Sequence, residues 1–279
     1  MRTVLVVANQ TVGGAKLIER IREKAAEGET RFALVVPRNR PGHGRVIYDE
    51  AVRHAAEVRL SLAKQFMAQE EGIEIQGEVG DEDPFLAAMD AVGEHGVDEI
   101  IVSTLPATAS DWLRRDLPER LEQESGLPVE HVVVDLHREE LQFRGTLVVA
   151  NQTVAGDALI EHLKRKAAGD VEQRYIVLVP QDSGDGQACD RARARMERLL
   201  ESLHAEDIPA VGMIGDPDPY TATMNAVDFF HLHDIVISTL PSNRSQWLKA
   251  NLIERVERDT GKPVEHVEST ADEPAPAGA

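Results

Sequence analysis

The sequence predicts an α/β protein of two tandem modules, each a doubly wound, five-stranded parallel sheet. Two observations predict this fold. One long stretch occurs twice in the chain, and each copy alternates short apolar runs with amphipathic stretches, as strands and helices do in a covered parallel sheet. The chain has 279 residues, which is enough for two domains of ordinary size.

The repeat sets the domain boundaries. The run LVVANQTV occurs at 5–12 and again at 147–154. Aligning 98–131 with 233–266 gives 17 identities in 34 positions. From the repeat and from composition we predict a first module over 1–135, a hydrophilic linker over 136–143, a second module over 144–269 and a disordered tail over 270–279.

The elements of the first module follow in order from local patterns. Short β-branched apolar runs predict buried strands, and apolar residues at helical spacing predict the helices between them. Gly28 ends the first helix, and the pair Asp83-Pro84 begins the third with a capping carboxylate and a proline at the first helical position. The predicted elements are strand 3–9, helix 14–28, strand 31–37, helix 46–72, strand 73–80, helix 83–96, strand 98–106, helix 110–126 and strand 128–134.

Composition excludes several classes of partner and site. The formal net charge is −19, from 49 acidic and 30 basic residues, so we expect neither nucleic acid nor a membrane surface as a partner. The single cysteine, Cys189, excludes an intramolecular disulfide and a zinc site made of cysteines alone. The sequence contains no bilayer-length apolar run and no signal sequence, so we expect the protein in the cytoplasm.

The candidate binding residues follow the first and fourth strand of each module. In a doubly wound sheet, ligands bind beyond the carboxyl ends of the strands, where the strand order reverses. An alternative interpretation is that these polar residues form tight turns and cap helices. The candidates are Asn9, Gln10, Thr11, Ser103 and Thr104 in the first copy, and Asn151, Gln152, Thr153, Ser238 and Thr239 in the second.

The chain resembles the universal stress protein family in a tandem two-domain form. The resemblance rests on the order of the elements, on Gly-Asp-x-Asp-Pro at 80–84 and 215–219, and on Pro-Val-x-x-Val at 128–132 and 263–267. It implies Rossmann-like five-stranded sheets, adenine-nucleotide binding in one subset of the family, and dimers made through the last strand. We therefore expect the fifth strands of the two modules to pair as a pseudo-dimer. Homo-oligomers and an unidentified protein partner remain open.

The nucleotide-binding motif of that subset is altered here. The subset carries an aspartate at the end of the first strand, where this chain has Asn9 and Asn151. It also carries a glycine-rich loop after the fourth strand, where this chain has Pro106 and Pro241. Proline removes a backbone N–H donor and fixes φ, so these loops are poorly suited to cradle a polyphosphate. Trp112 and Trp247 add bulk in the same two loops.

The residue that closes this motif differs between the copies. Asp116 stands there in the first copy, and we expect its carboxylate to cap the next helix and compete with a phosphate. Asn251 stands there in the second copy and is neutral. The second copy is therefore the better predicted anion site, and Asn251 joins the candidate binding residues.

No catalytic residue and no metal site is predicted. His231 and His233 do not share a helical face, and we interpret the repeated Asp81 and Asp83 as helix caps rather than as acid–base or cation-binding carboxylates. The favoured function is a non-catalytic, stress-associated regulatory protein that binds a partner or a small ligand at the strand ends. The alternative is an adenine-nucleotide-binding protein, with ATP or AMP as ligand, whose remodelled phosphate loop is best retained in the second copy. No other cofactor is assigned.

Overall fold

A computed structural model describes most of the chain. The described residues are 1–107, 110, 112–113, 116–136, 138, 144–154, 156–169, 173–184, 186–241 and 243–269, with no side chains described at 69–71. The predicted tail and most of the predicted linker lie outside these residues.

The chain folds as two compact units. The first unit consists of Met1–Arg40 and Ala55–Gln142, and the second of Pro41–His54 and Phe143–Ala279. The segment Pro41–His54, which we call the strap, thus lies in the first sequence copy but packs in the second unit.

The first sequence copy contains the predicted alternation of five strands and four helices. Two helices begin later than predicted, the second at Asp49 and the fourth at Leu117. The elements are β1 (Arg2–Val7), α1 (Ala15–Ala26), β2 (Thr30–Pro37), α2 (Asp49–Glu71), β3 (Ile75–Gly80), α3 (Pro84–His95), β4 (Glu99–Thr104), α4 (Leu117–Ser125) and β5 (Val129–Val133).

The second copy repeats this order, and its described residues include a short helix, α8, at a place where the first copy is only partly described. Its elements are β6 (Arg144–Val149), α5 (Asp157–Ala167), β7 (Gln173–Pro180), α6 (Gly186–His204), β8 (Ala210–Gly215), α7 (Pro219–Phe229), β9 (Asp234–Thr239), α8 (Gln246–Lys249), α9 (Leu252–Thr260) and β10 (Val264–Glu268). None of the described helices combines the length and the apolar character that crossing a membrane requires.

Each unit is built on one parallel sheet, which confirms the predicted fold class. The strand order is β3-β2-β1-β4-β5 in the first sheet and β10-β9-β6-β7-β8 in the second, the same order counted from the other edge. All paired strands run parallel. The central strands are apolar on both faces because helices cover both; Val4–Val7 of β1 are at most 1% exposed.

A cluster of charged side chains occurs in the same place in both units. In the first unit, Lys24 of α1 pairs with Glu99 of β4. In the second, Lys166 of α5 lies 3.0 Å from Asp234 of β9 and 2.5 Å from Glu265 of β10. Each cluster joins the first helix of its copy to the fourth strand, and in the second unit also to the fifth.

The strap covers an apolar part of the second unit, made by residues such as Met213 of β8. The amide of Asn225 holds the strap at His43, donating to its carbonyl oxygen at 3.2 Å and accepting from its backbone N–H at 2.9 Å. The imidazole of His43 also lies 3.3 Å from the carboxylate of Asp228. The second copy has no counterpart of most of the strap, because eight residues are missing after Pro180.

Replacing Lys166 with methionine should destabilise the protein. Asp234 has only 6% of its side chain exposed, and Lys166→Met would leave this buried carboxylate without its nearest cation. Removing one partner of a buried ion pair costs up to about 3 kcal/mol where a second cation, here Arg144, remains nearby. Urea unfolding measures the loss. Lys164→Met, which removes an exposed pair with Glu206, is the matched control and should change stability little. An equal effect of the two substitutions would contradict the structural role of the cluster.

Candidate functional site

The first unit has an open cavity at the carboxyl ends of its strands. Its volume is about 740 Å³, which lies within the range of small-molecule sites. The structure brings together in its lining all five residues that were predicted from the first copy: Asn9, Gln10, Thr11, Ser103 and Thr104. Their role in binding remains a prediction.

The loop after β1 is shaped by its own backbone. Val12 N–H donates to the carbonyl of Asn9 at 3.3 Å, and Gly14 N–H donates to that of Thr11 at 3.0 Å. The hydroxyl of Thr11 donates to the carbonyl of Ser103, 3.2 Å away, and so joins this loop to the end of β4. Gly14 is the N-cap of α1 and makes no side-chain capping bond. The loop is therefore a tight turn, and the N-cap of α1 is Gly14, which has no side chain with which to cap the helix.

Two polar atoms at the cavity are buried without a hydrogen-bond partner among the described residues. The amide nitrogen of Asn9 donates to the carbonyl of Pro37 at 3.0 Å and to Oδ1 of Asn39 at 2.7 Å, but its own Oδ1 accepts nothing. The hydroxyl of Ser103 is also unpartnered, and this residue is 1% exposed. An unsatisfied buried polar group costs about 1–3 kcal/mol, which a bound ligand could recover.

The charged residues at this cavity come from strand ends that supplied no candidate binding residue, although Asp81 and Asp83 had been interpreted as helix caps. Arg38 and Arg40 follow β2, and Asp81 and Glu82 follow β3. Arg38 lies 3.6 Å from Asp81, and Arg40 lies 2.8 Å from Glu82. The signal that was missed is simple: β2 and β3 end at the same edge of the sheet as β1 and β4, so polar residues after them belong to the same surface.

Of the two aspartates after β3, Asp83 caps α3 as predicted, whereas Asp81 forms a turn in front of the helix. Oδ1 of Asp83 accepts from the backbone N–H of Phe85 at 2.9 Å, and Asp81 accepts from the N–H of Asp83 at 2.9 Å. In the second unit, Asp218 accepts from the N–H of Thr221 at 3.0 Å. These carboxylates are engaged in the local backbone.

The second unit has a much smaller cavity at the equivalent place, of about 150 Å³. Ser238 has a buried hydroxyl that is unpartnered in the described part of the chain, as in Ser103. The hydroxyl of Thr153 donates to the carbonyl of Ser238 at 3.3 Å. The lining again contains all five predicted strand-end residues: Asn151, Gln152, Thr153, Ser238 and Thr239.

The sixth residue predicted for the second copy, Asn251, does not line that cavity. It is exposed at the start of α9, with φ 50° and no side-chain cap. The expectation that Asp116 caps α4 by its side chain is also wrong. Asp116 has φ 50° and ψ 42°, whereas a capping side chain reaches the helix from extended backbone. Its carbonyl accepts from the N–H of Arg120 at 3.0 Å instead. Cavity size therefore favours the first copy, not the second, as the ligand site.

Histidines hold the threonines at the end of β4 and β9. Nε2 of His131 lies 2.8 Å from the hydroxyl of Thr104, and Nε2 of His266 lies 2.9 Å from that of Thr239. No sequence pattern connects these histidines with the strand-end hydroxyls, which lie 27 positions away in the chain. Burial lowers the pKa of His131, against a smaller opposing effect of Glu119.

His231 and His233 lie next to each other immediately before β9. Their rings are perpendicular with centroids 5.2 Å apart, and Nδ1 of His233 accepts from the N–H of Gly145 at 3.2 Å. Burial lowers the pKa of His233. A different group, Glu78, Glu94 and His95, has its ligand atoms within 4.8 Å of one another at the surface. Nε2 of His95 lies 3.4 Å from Oε1 of Glu78, and this contact explains why the three residues lie together.

Acidification should destabilise the protein modestly through His131, whose side chain is exposed but partly desolvated. Because the pKa of His131 is lower in the folded protein than its unfolded value of about 6.5, the unfolded chain binds more protons below that pH. The free energy of unfolding should therefore fall between pH 7.5 and pH 5.5. His131→Gln should lose less stability over this interval than the unchanged protein, as measured by urea unfolding at both pH values. An equal loss would contradict the depressed pKa, which titration of the His131 ring by NMR measures directly.

Comparison with known proteins returns matches to solved structures alone. No family model matches the chain, and no curated protein matches it. A universal stress protein in complex with cAMP is 15% identical, with a TM-score of 0.31, and the match covers 47% of this chain and 96% of that one. A universal stress protein from Archaeoglobus fulgidus DSM 4304 is 16% identical, with a TM-score of 0.35 and 97% of both chains covered. Because these identities and TM-scores are low, the fold is assigned from the strand order of the two sheets described above.

Proposed function

We propose that this protein is a non-catalytic, stress-associated regulatory protein that binds a small polar ligand in the cavity of its first unit. The observation that carries the proposal is the cavity of about 740 Å³ with two buried, unpartnered polar atoms, Asn9 Oδ1 and Ser103 Oγ. Because both atoms are buried, a ligand would reach them once a side-chain rotation turned them towards the cavity. A ligand that then donates a hydrogen bond to Asn9 and pairs with the Ser103 hydroxyl would satisfy both.

The charges at the cavity favour a ligand of low net charge. Both arginines at its rim already lie beside carboxylates, Arg38 beside Asp81 and Arg40 beside Glu82. The carboxylate of Asp83 adds a further negative charge to the lining. A polyphosphate would have to displace these carboxylates from the arginines and then remain close to them. Neutral or singly charged polar compounds face no such repulsion.

Binding is favoured over catalysis by the surroundings of the hydroxyl groups. Within the described residues, the Ser103 hydroxyl contacts no base that could activate it. The Thr104–His131 contact resembles an activated nucleophile, but the same contact occurs as Thr239–His266 beside the much smaller second cavity. A contact kept at 2.8 and 2.9 Å regardless of cavity size is better explained as a link between neighbouring strands.

Binding should depend on Asn9 and not on its counterpart Asn151. A panel of nucleosides, nucleotides and other small polar metabolites, screened by thermal shift and then by calorimetry, identifies the ligand. Asn9→Leu removes the unpartnered acceptor and should weaken binding at least about tenfold, which corresponds to the loss of one buried hydrogen bond. Asn151→Leu is the matched control in the second unit and should leave the affinity unchanged. Absence of binding by the folded protein across the panel would refute the proposal.

An adenine nucleotide of low charge is the second candidate. Trp112 lines the first cavity and offers an aromatic surface on which a base can stack. The Asn9 acceptor suits the exocyclic amino group of adenine. Adenosine, AMP and cAMP, the ligand named for one of the similar structures, therefore belong in the panel with ATP. The carboxylates of the lining predict that AMP binds more tightly than ATP.

Replacing one carboxylate at the rim of the first cavity should reduce the predicted preference for AMP over ATP. Glu82→Gln takes a negative charge from the lining and should raise the affinity for ATP about two- to fivefold at low salt, with little effect on adenosine. Calorimetric titrations of the three ligands measure the change. Glu122→Gln, an exposed carboxylate on α4 outside the cavity, serves as the charge-matched control. Equal shifts for ATP and adenosine would show that rim charge does not select the ligand.

A further inference from the structure

The two cavities differ although their predicted strand-end residues are the same. The first cavity extends over the ends of β1, β2, β3 and β4, and its lining includes Asn39 after β2 and Asp81 after β3. The second is lined from the ends of β6 and β9 and from the loop that follows β9, with Arg244, Ser245 and Trp247. The second cavity does not extend over the ends of β7 and β8. Something in the second unit therefore occupies the ends of these two strands.

A group of four hydrogen-bonded side chains lies at the end of β7. Asp182 follows β7, and its Oδ1 accepts from Nη1 of Arg195 at 2.9 Å. Its Oδ2 accepts from Nε of Arg191 at 3.3 Å. The same Nη1 of Arg195 donates to Oδ1 of Asn151 at 2.7 Å. We call Asn151, Asp182, Arg191 and Arg195 the lock.

The lock satisfies the acceptor that is left open in the first unit. Oδ1 of Asn9 has no partner in the described structure, whereas Oδ1 of its counterpart Asn151 accepts from Arg195. The amide nitrogens behave alike: Asn9 donates to Asn39 at 2.7 Å, and Asn151 donates to Asp182 at 3.4 Å. The guanidinium of Arg195 thus takes the place that a donor group of a ligand would take in the first cavity.

One position accounts for this difference. Aligning the prolines that end β2 and β7, Pro37 and Pro180, places Asn39 opposite Asp182. Asn39 is neutral and offers no charge to attract a guanidinium, whereas Asp182 is a carboxylate that binds two.

The α2 and α6 helices carry arginines in matching places. Aligning their buried faces at an offset of 195 − 59 = 136 places Arg59 opposite Arg195. Arg59 is 2% exposed and lies in the core of the first unit, whereas Arg195 reaches the rim of the second. The carboxylate of Asp182 is the group that holds an arginine at the rim.

We infer that Asp182 keeps the second cavity closed by holding Arg195 on Asn151, so that the first cavity is the open one of the pair. This inference rests on the proposed function only where it concerns ligand binding; the closure itself is a property of the second unit. Burial opposes the charge of Asp182, but hydrogen bonds from Arg195 and Arg191 outweigh it and hold the pKa of this carboxyl below its ordinary value. The lock is therefore ionised at neutral pH.

The end of β8 is covered separately, by the strap. A side chain at Gly44 of the strap would come within 3.4 Å of Asp216, which follows β8. The strap does not contact the lock residues through any described hydrogen bond. The inference concerns the end of β7 alone, and the strap remains in place in the variants below.

The two tryptophans of the chain report separately on the two cavities. Trp112 lines the first and Trp247 the second, and the sequence contains no other tryptophan. In a Trp112→Phe background, Asp182→Asn should raise the acrylamide quenching constant of Trp247 about twofold, because the neutral amide releases Arg195 and widens the cavity. Arg195→Gln should do the same by removing the guanidinium itself.

Two control variants distinguish opening of the second cavity from a general loss of packing. Asp190→Asn makes the same charge change on an exposed residue of α6, and should leave Trp247 unchanged. In a Trp247→Phe background, Asp182→Asn should leave the quenching of Trp112 unchanged. Unchanged quenching of Trp247 in both Asp182→Asn and Arg195→Gln, with folding verified by circular dichroism, would overturn the inference.

Ligand binding gives a second, independent measurement. With a ligand established for the first cavity, calorimetry of Asp182→Asn should show a second equivalent bound per chain, and Asn151→Leu added to this variant should remove it. An open second cavity, by Trp247 quenching, that gains no ligand would overturn the binding part of the inference. Failure of every ligand to bind the unchanged protein would instead refute the proposed function and leave the quenching result as the test of the lock.

Discussion

The feature on which both sites depend is the reversal of strand order beside the first strand of each sheet. The chain proceeds outward from β1 to β3 and then crosses to β4 on the other side of β1, so the loops after β1 and β4 leave the sheet in different directions. The hydroxyl of Thr11 joins these loops by donating to the carbonyl of Ser103, and Thr153 does the same to Ser238. One hydrogen bond, made twice, thus holds polar side chains at the place where the sheet opens.

The same strand order does not produce equal cavities in the two units, because the residues of the loops that follow the strands differ. Asn9 and Asn151 occupy the same position, yet one keeps an open acceptor and the other is bound by Arg195. The difference follows from the neighbour after the second strand, which is Asn39 in one unit and Asp182 in the other. A charged acceptor holds a guanidinium where a neutral amide does not, since charge-assisted hydrogen bonds are about twice as strong as neutral ones.

Much of the fold and part of the site could be predicted because they depend on local patterns and on the repeat. The strands are continuous apolar runs, and Asp83 caps α3 as the order Asp-Pro indicates. The helix start at Asp116 was misjudged, because the sequence does not reveal its left-handed backbone, with φ 50°. Asn251 was misplaced for the same reason. Arg38, Arg40 and Glu82 were missed because the candidate residues were taken only from the two strands beside the reversal of order. Asp81 and Asp83 were interpreted as helix caps and not as part of the cavity.

The sequence by itself determined the two parallel sheets, their tandem order and the ten polar residues that gather at the strand ends, because periodicity and repetition are properties of the chain alone. The tertiary structure decided how those residues are used. It placed the strap Pro41–His54 in the second unit, left Oδ1 of Asn9 open and brought Arg195 across to Asn151. These outcomes depend on contacts between residues that are distant in the chain, such as Asn151 and Arg195, 44 positions apart, and such contacts follow from packing and charge in three dimensions.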